Sequence, residues 1–535
     1  MCMPPSHLIG FLVADSMSSS RRRMTMPGLS SRHLAPDRRH VKPYLSLLSQ
    51  QLNHVMPAED FDRLQTAAGD TQSSEDGIIV EKSPEALVDL REDLMDSLMP
   101  ASMCEHPADC GDGDMDDEIQ HAPLVDRRML TRETSLLLPQ YALFGFRDWS
   151  KLFLNTNAPF STFICGVQGS GKSHTTSCIM ENSLVRSPHL GYLQSPLSAL
   201  VFSYGQLSGD GMEPNASEAA FLAATSSTLP GHPHVEKITV LVSPSNLGRM
   251  ENLYHRLPNV SVVPFKLKPA NLDVDAMLTL MAVSGPGDGP LYMAQVTDVL
   301  RQIAAQGGPF NYTTFKRRLN GCKFNAKQST MLQLRLGLLE SFLDLNNQCP
   351  APDFRPGEVT IMDMSCPFVD SNTACILFRL ALRLYLRSDV PGKLVVLDEA
   401  HKYMVNVPGA RSLKEALCQT IRFQRHYGVR VVISTQEPTF LTDLIALCSV
   451  VVIHRFSSPE WFAALKRHIH VAHHDHGRLM QAIESLKTGA ALVYCPTAAL
   501  GKDRDGKLVK GTGRLMEIRV RQRVTRDGGR SVLAA

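Results

Sequence analysis

The sequence predicts an α/β fold with a largely parallel sheet covered by helices on both faces, and three observations carry that expectation. From about Val125 onward, short apolar segments rich in β-branched residues alternate with segments of helical periodicity, the pattern of βα units. Several apolar segments, such as Leu394-Val395-Val396-Leu397 and Val450-Val451-Val452-Ile453, are continuous rather than alternating, as strands buried on both faces read. A third, Thr162 to Val167, runs into a glycine-rich loop and then a helical stretch, Ser173 to Val185.

The expected strands are Thr162 to Val167, Ala199 to Tyr204, Lys237 to Val242, Val260 to Phe265, Glu358 to Met364, Lys393 to Leu397, Val429 to Ser434, Val450 to His454 and Ala490 to Cys495. Between Asn271 and Asn347 no strand pattern occurs, while Met331, Leu334, Leu338 and Leu345 recur at helical spacing, so a helical insertion over about 271–347 is expected. Residues 1–124 are rich in Ser, Pro, Met and charge and read as a mostly disordered arm, with short helices near Lys42 to Asn53 and Pro84 to Leu98. The folded domain is expected over 125–525 and a flexible tail over 526–535. Near that tail Ile518, Val520, Gln522 and Val524 alternate with Arg519, Arg521 and Arg523, as a charged edge strand with one wet face would.

Composition narrows the class. The 535 residues are 43% hydrophobic and 20% charged, a globular balance, and the net charge of +2 leaves any polyanion-binding surface to a local patch. The 12 cysteines are scattered without repeated Cys-x-x-Cys pairs, which suits thiols in a reducing compartment, cytoplasmic or nuclear, with an organelle as a further option. No apolar run approaches the roughly 18 to 20 residues of a membrane span.

The chemistry concentrates in three places. Gly166-Val167-Gln168-Gly169-Ser170-Gly171-Lys172-Ser173 matches the Gly-x-x-x-x-Gly-Lys-[Ser/Thr] phosphate loop of P-loop NTPases in full, with His174 next in line. Its glycines let successive backbone N–H groups face phosphate oxygens at a helix N-terminus; Lys172 is expected on the β- and γ-phosphates of ATP and Ser173 on Mg²⁺. The strand Lys393 to Leu397 ends in Asp398-Glu399, where Asp398 suits the ion's hydration shell and Glu399 suits a base for the attacking water. The strand Val429 to Ser434 leads to Gln436, which a parallel sheet brings to the same carboxyl edge, near the γ-phosphate.

Arg425-His426-Tyr427-Gly428-Val429 leading into Ser434-Thr435-Gln436-Glu437-Pro438, preceded by Asp398-Glu399-Ala400-His401-Lys402-Tyr403, resembles the HerA/FtsK family of ring-forming DNA-pumping ATPases. The resemblance spans roughly Phe144 to Pro496. It implies that the Gln-bearing strand lies between the loop strand and the acid strand, and that a homo-oligomer, usually a hexamer, acts on DNA or another polymer. It also implies an arginine supplied by a neighbour or sensing the γ-phosphate, for which Arg425 is the match and Arg422 and Arg455 are rivals. Two departures stand out: the N-terminal arm cannot supply the β-barrel of HerA proteins, and Glu437 stands where those translocases often carry Arg. A nucleotide-controlled switch or scaffold with slow turnover is the alternative. A DEAH-type helicase is a lesser one, since Asp398-Glu399-Ala400-His401 fits but the second-lobe motifs are missing.

Three further features have plain readings. Arg379, Arg383 and Arg387 share a helix face, either solvated or phosphate-binding. His468, His470, His473, His474 and His476 lack metal-typical partners apart from Asp475 and read as a polar helix rather than a zinc site. The acidic stretch Asp109 to Glu118 lacks the Gly and Glu of a calcium loop and reads as a linker.

Overall fold

The computed structural model describes residues 116–529 apart from 133, 206–214, 275–276, 279–290, 308–309 and 471–475, so the expectations for the arm up to Met115 and for His473 and His474 lie outside it. The strands are β1 (Leu124–Asp126), β2 (Tyr141–Arg147), β3 (Ser150–Leu154), β4 (Ser161–Cys165), β5 (Gly191–Tyr192), β6 (Ser198–Ser203), β7 (Ile238–Val242), β8 (Val260–Pro264), β9 (Val359–Asp363), β10 (Lys393–Leu397), β11 (Val429–Thr435), β12 (Val450–Ile453), β13 (Ala490–Tyr494), β14 (Ala499–Lys502), β15 (Leu508–Lys510) and β16 (Met516–Val520). They form one sheet with an unbroken parallel block, β12-β4-β11-β10-β6-β9-β7-β8, that ends at the edge strand β8. All nine strands expected between Thr162 and Cys495 are present. The sheet turns antiparallel beyond β12, through β13, β16, β2, β3 and β1.

Continuous apolar runs do place both strand faces in a core. In β10, Val395 and Leu397 join Phe378, Tyr403 and Leu413 on one face, while Leu394 and Val396 join Ile179 and Met180 of the phosphate-loop helix on the other. The helix Ser371–Leu386 starts at Asp370, whose carboxylate accepts from the Thr373 N–H.

The insertion is helical, with helices Leu291–Ala305, Tyr312–Asn320 and Ala326–Ser341. Its inward face differs from the expected one. Leu332, Leu336 and Leu339 are buried, whereas Met331 and Leu334 are 46% and 68% exposed. The last helix is apolar on more than one side, so spacings of three and four fit two faces and the sequence does not choose between them. The arginine face is used within the chain: Arg379 donates to Ser412 Oγ at 2.6 Å and Arg383 to Asp273 Oδ1 at 2.7 Å.

The C-terminal arginines are the clearest correction. β16 is no edge strand but lies between β13 and β2. Its wet face ends at Arg519, after which Val520 and Arg521 are buried in succession. Arg521 is fully buried, with Nη1 2.7 Å from Glu181 Oε2, Nη2 2.7 Å from Asn182 Oδ1 and Nε 2.9 Å from Leu143 O. Burial pushes the Glu181 carboxyl up, but Arg521, Arg523 and the Thr525 hydroxyl outweigh it and hold it below the usual range. The tail is also not loose where it is described: Arg526 N–H donates to Ala224 O at 2.9 Å and Gly528 N–H to Glu218 Oε1 at 3.1 Å. Arg521→Met, which strands a buried carboxylate, is expected to cost about 3 to 5 kcal/mol in denaturant titration. A loss below about 1 kcal/mol would mean that the pair contributes little beyond its own desolvation.

Candidate nucleotide site

The parallel register brings the expected residues to one edge. Cys165 pairs with Thr435 on one side and with Ile453 on the other, and Leu397 pairs with Ile433. Gly166, Gln436 and His454 therefore each follow a paired position, with Asp398 just below them. The order across this edge is loop strand β4, glutamine strand β11, acid strand β10, as the resemblance implies.

The loop is shaped by its glycines. Gly169 and Gly171 have φ of 73° and 113°, in the left-handed region that glycine alone enters freely. At Gly166 a Cβ would lie 2.7 Å from both His454 Cβ and Ser170 Oγ. The helix Lys172–Leu184 begins at Gly171 with no side-chain cap, which leaves its first N–H groups facing the loop's concavity. Lys172 is buried and donates to Val167 O at 3.0 Å. Burial lowers its ammonium, against the opposing pull of Glu399, Cys165 and Asp398. Gln168 and Gly169 are exposed, while Ser170 is buried and donates to Val167 O at 2.7 Å. His174 contacts not the loop but the C-terminal segment, its Nε2 donating to Arg521 O at 2.7 Å.

His454, which the sequence reading did not include in the site, holds the loop in place. Its Nδ1 lies 3.0 Å from Ala490 O, which can only accept, so Nδ1 carries the proton and Nε2 accepts from Thr175 Oγ1 at 2.9 Å. Burial drives its pKa down to about 4, fixing the neutral form. Its place directly after an apolar strand is the signal that would have found it.

The acids stand beside the loop. Asp398 is half-buried, and Oδ1 is sealed from solvent with no hydrogen-bond partner among the described residues. Burial, reinforced by the neighbouring Glu399, raises its pKa to about 7. Ser173 and Asp398 line a cavity of about 10 Å³ together with Thr176, Ser177 and Glu218. An unpartnered buried carboxylate oxygen and a serine hydroxyl lining one cavity fit a hard cation such as Mg²⁺, which would favour the charged form.

Glu399 adopts φ 47°, ψ 45°, a left-handed conformation that costs a non-glycine residue on the order of 1 kcal/mol or more. The conformation turns its carboxylate toward β11. Gln436 Nε2 donates to Glu399 Oε2 at 2.9 Å, and His401 Nε2 lies 3.4 Å from the same oxygen. The Gln436 N–H donates to His401 Nδ1 at 3.3 Å, which puts the ring proton on Nε2, toward Glu399. Lys402 Nζ is 3.9 Å from Oε2. His401 and Lys402, quoted in the sequence motif without a role, thus complete the acid's surroundings.

The arginines separate. Arg455 lies at this edge, its carbonyl accepting from Val167 N–H at 2.9 Å and its side chain exposed. Arg425 is exposed on the short helix Gln424–Tyr427, ahead of β11, at the opposite edge of the sheet, and Arg422 ends the helix Pro408–Arg422 nearby. No helix among the described residues is long and apolar enough to cross a membrane.

No family model and no curated relative matches this chain. Among solved structures it is similar to VirB4 of Thermoanaerobacter pseudethanolicus, at 12% identity and a TM-score of 0.42, over 71% of this chain and 96% of that one. It is also similar to the plasmid coupling protein TrwB in complex with the GTP analogue GDPNP, at 13% identity and a TM-score of 0.38, over 70% and 87% of the two chains. A third likeness is to the genome packaging NTPase B204 of Sulfolobus turreted icosahedral virus 2 with ATP-gammaS, at 9% identity and a TM-score of 0.25, over 66% and 95%.

Proposed function

We propose that this chain is a Mg²⁺-dependent ATP hydrolase of the HerA/FtsK type that works as a ring-forming motor on DNA or another polymer inside the cell. The observation that carries the reading is the 2.9 Å bond between Gln436 and Glu399, which joins a polar strand end to an acid at the edge where the phosphate loop opens. A nucleotide-binding loop alone needs no such acid. Here Glu399 is the base for the attacking water, Gln436 orients acid and water, and Lys172 with the N–H groups of Gly169 to Ser173 binds the phosphates. Ser173 and Asp398 would hold Mg²⁺, which neutralises phosphate charge when bound.

The oligomeric part rests on the arginines. Arg425 lies at the edge of the sheet away from its own chain's site, so only a neighbouring copy's nucleotide is within its reach. DNA as the polymer rests on the resemblance of the Arg425 to Pro438 segment.

The test is the ATPase rate of the full chain and of Lys172→Ala, each with and without DNA, alongside oligomer mass. Hydrolysis lost with Lys172 and stimulated by DNA in an oligomer is expected; steady hydrolysis by monomers indifferent to DNA would leave the switch reading instead. Gln436→Ala is expected to slow turnover by roughly 10- to 100-fold, from the loss of a hydrogen bond to a charged group. A single-turnover assay would show the effect in the chemical step and not in ATP affinity.

A further inference from the structure

The segment after β16 reaches the proposed site from two sides. On one, Arg521 and the N–H groups of Val524 and Thr525 bind Glu181 in the middle of the phosphate-loop helix, and the Arg521 carbonyl accepts from His174, the residue after Ser173. On the other, Arg523, 5% exposed, pairs with Glu218 Oε1, to which Gly528 N–H also donates at 3.1 Å. Glu218 opens the short helical turn Glu218–Ala223 and lines the same cavity as Ser173 and Asp398. The fit is close: a Cβ at Gly528 would lie 2.3 Å from the Phe221 ring and 2.7 Å from Glu218 Oε2.

The ion pair with Arg523 and the bond from Gly528 both engage Glu218 Oε1. The other carboxylates near Arg523 are more distant, Glu181 Oε1 at 3.9 Å and Asp527 Oδ1 at 3.7 Å. Glu218 lines the same cavity as Asp398, so the two carboxylates repel each other unless a cation lies between them. The cavity between them has room for about one water, which suits an acid acting on an ion through its hydration shell, the way Mg²⁺ is commonly held.

We propose that Glu218 is a further acidic residue of the Mg²⁺ site, and that Arg523 and the Gly528 N–H position it, making the C-terminal segment Arg521 to Gly528 a working part of that site. The proposal rests on the ATPase reading above. It assigns the C-terminal arginines a task that neither a solvated strand nor a loose tail would have.

The test uses the full chain with Glu218→Gln and Arg523→Met. A fluorescent ATP analogue is titrated in EDTA and at increasing Mg²⁺, and thermal melts are recorded in parallel. Glu218→Gln is expected to raise the half-saturating Mg²⁺ about tenfold, as loss of an outer-shell partner does, while leaving affinity in EDTA within about twofold. Arg523→Met should shift it in the same direction, and the near-isosteric Glu218→Gln decides the matter where Arg523→Met folds poorly. A lower melting temperature with an unchanged Mg²⁺ requirement in Glu218→Gln would overturn the proposal and leave the ATPase reading standing. Lys172→Ala binding the analogue as well as the unaltered chain would remove that premise and the proposal with it.

Discussion

Glu399→Gln is expected to bind Mg²⁺-ATP as tightly as the unaltered chain and to hydrolyse it about 10² to 10⁴ times more slowly, the range a positioned general base contributes. The substitution keeps the shape of the side chain and its ability to meet the Gln436 amide, while removing the carboxylate that takes the proton. It leaves the phosphate loop untouched, because Lys172 bonds Val167 and the loop is locked through His454, Thr175 and Ala490. Binding and turnover should therefore separate, and equilibrium binding of a slowly hydrolysed analogue beside a single-turnover rate shows whether they do. Hydrolysis within a few-fold of the unaltered chain would rule Glu399 out as the base. Equal loss of binding and turnover would mean that its left-handed backbone position supports the loop itself.

The residues of the proposed site can be picked out in the sequence because its parts are short-range. Three strand ends, each an apolar run followed by polar residues, carry the loop, the acids and the glutamine, and a parallel sheet gathers them at one edge. What it hides is long-range or chemically ambiguous. β2 and β3 are joined through Asp148 and Trp149, with Asp148 at φ 52°, a turn without the glycine that would announce a hairpin. Arg521 reads as one more cation in an alternating strand, because its partner Glu181 is 340 positions away in an otherwise unremarkable helix. His454 has the same difficulty: its role depends on Thr175 and Ala490, which no local pattern connects to it. Buried polar pairs of this kind are invisible to periodicity, since a charged residue at a core position resembles one at the surface until its partner is known.

Arg425→Ala is expected to lower turnover by about 10³-fold, the lower end of what an arginine placed on the transferring phosphate contributes, with ATP affinity nearly unchanged. The reason is topological. Arg425 precedes β11 and Gln436 follows it, so the seven residues Val429 to Thr435, at about 3.3 Å each, keep Arg425 beyond side-chain reach of its own nucleotide. A role for it requires a second copy whose nucleotide edge faces this one, as head-to-tail rings provide. That geometry makes the defect complementable. Mixing equal amounts of Arg425→Ala and Glu399→Gln chains leaves each interface an intact acid and an intact arginine in one of four arrangements, so roughly a quarter of the unaltered rate should return. Arg455, at the nucleotide edge of its own chain, behaves differently if it is the arginine that matters. Arg455→Ala and Glu399→Gln would then both damage the nucleotide-holding subunit, no arrangement would be whole, and no activity would return. Recovery when Arg425→Ala is mixed with Glu399→Gln assigns the arginine to the neighbour, a lasting loss when Arg455→Ala is mixed with Glu399→Gln assigns it to the nucleotide-holding subunit, and an Arg425→Ala chain as fast as the unaltered one removes Arg425 from the site.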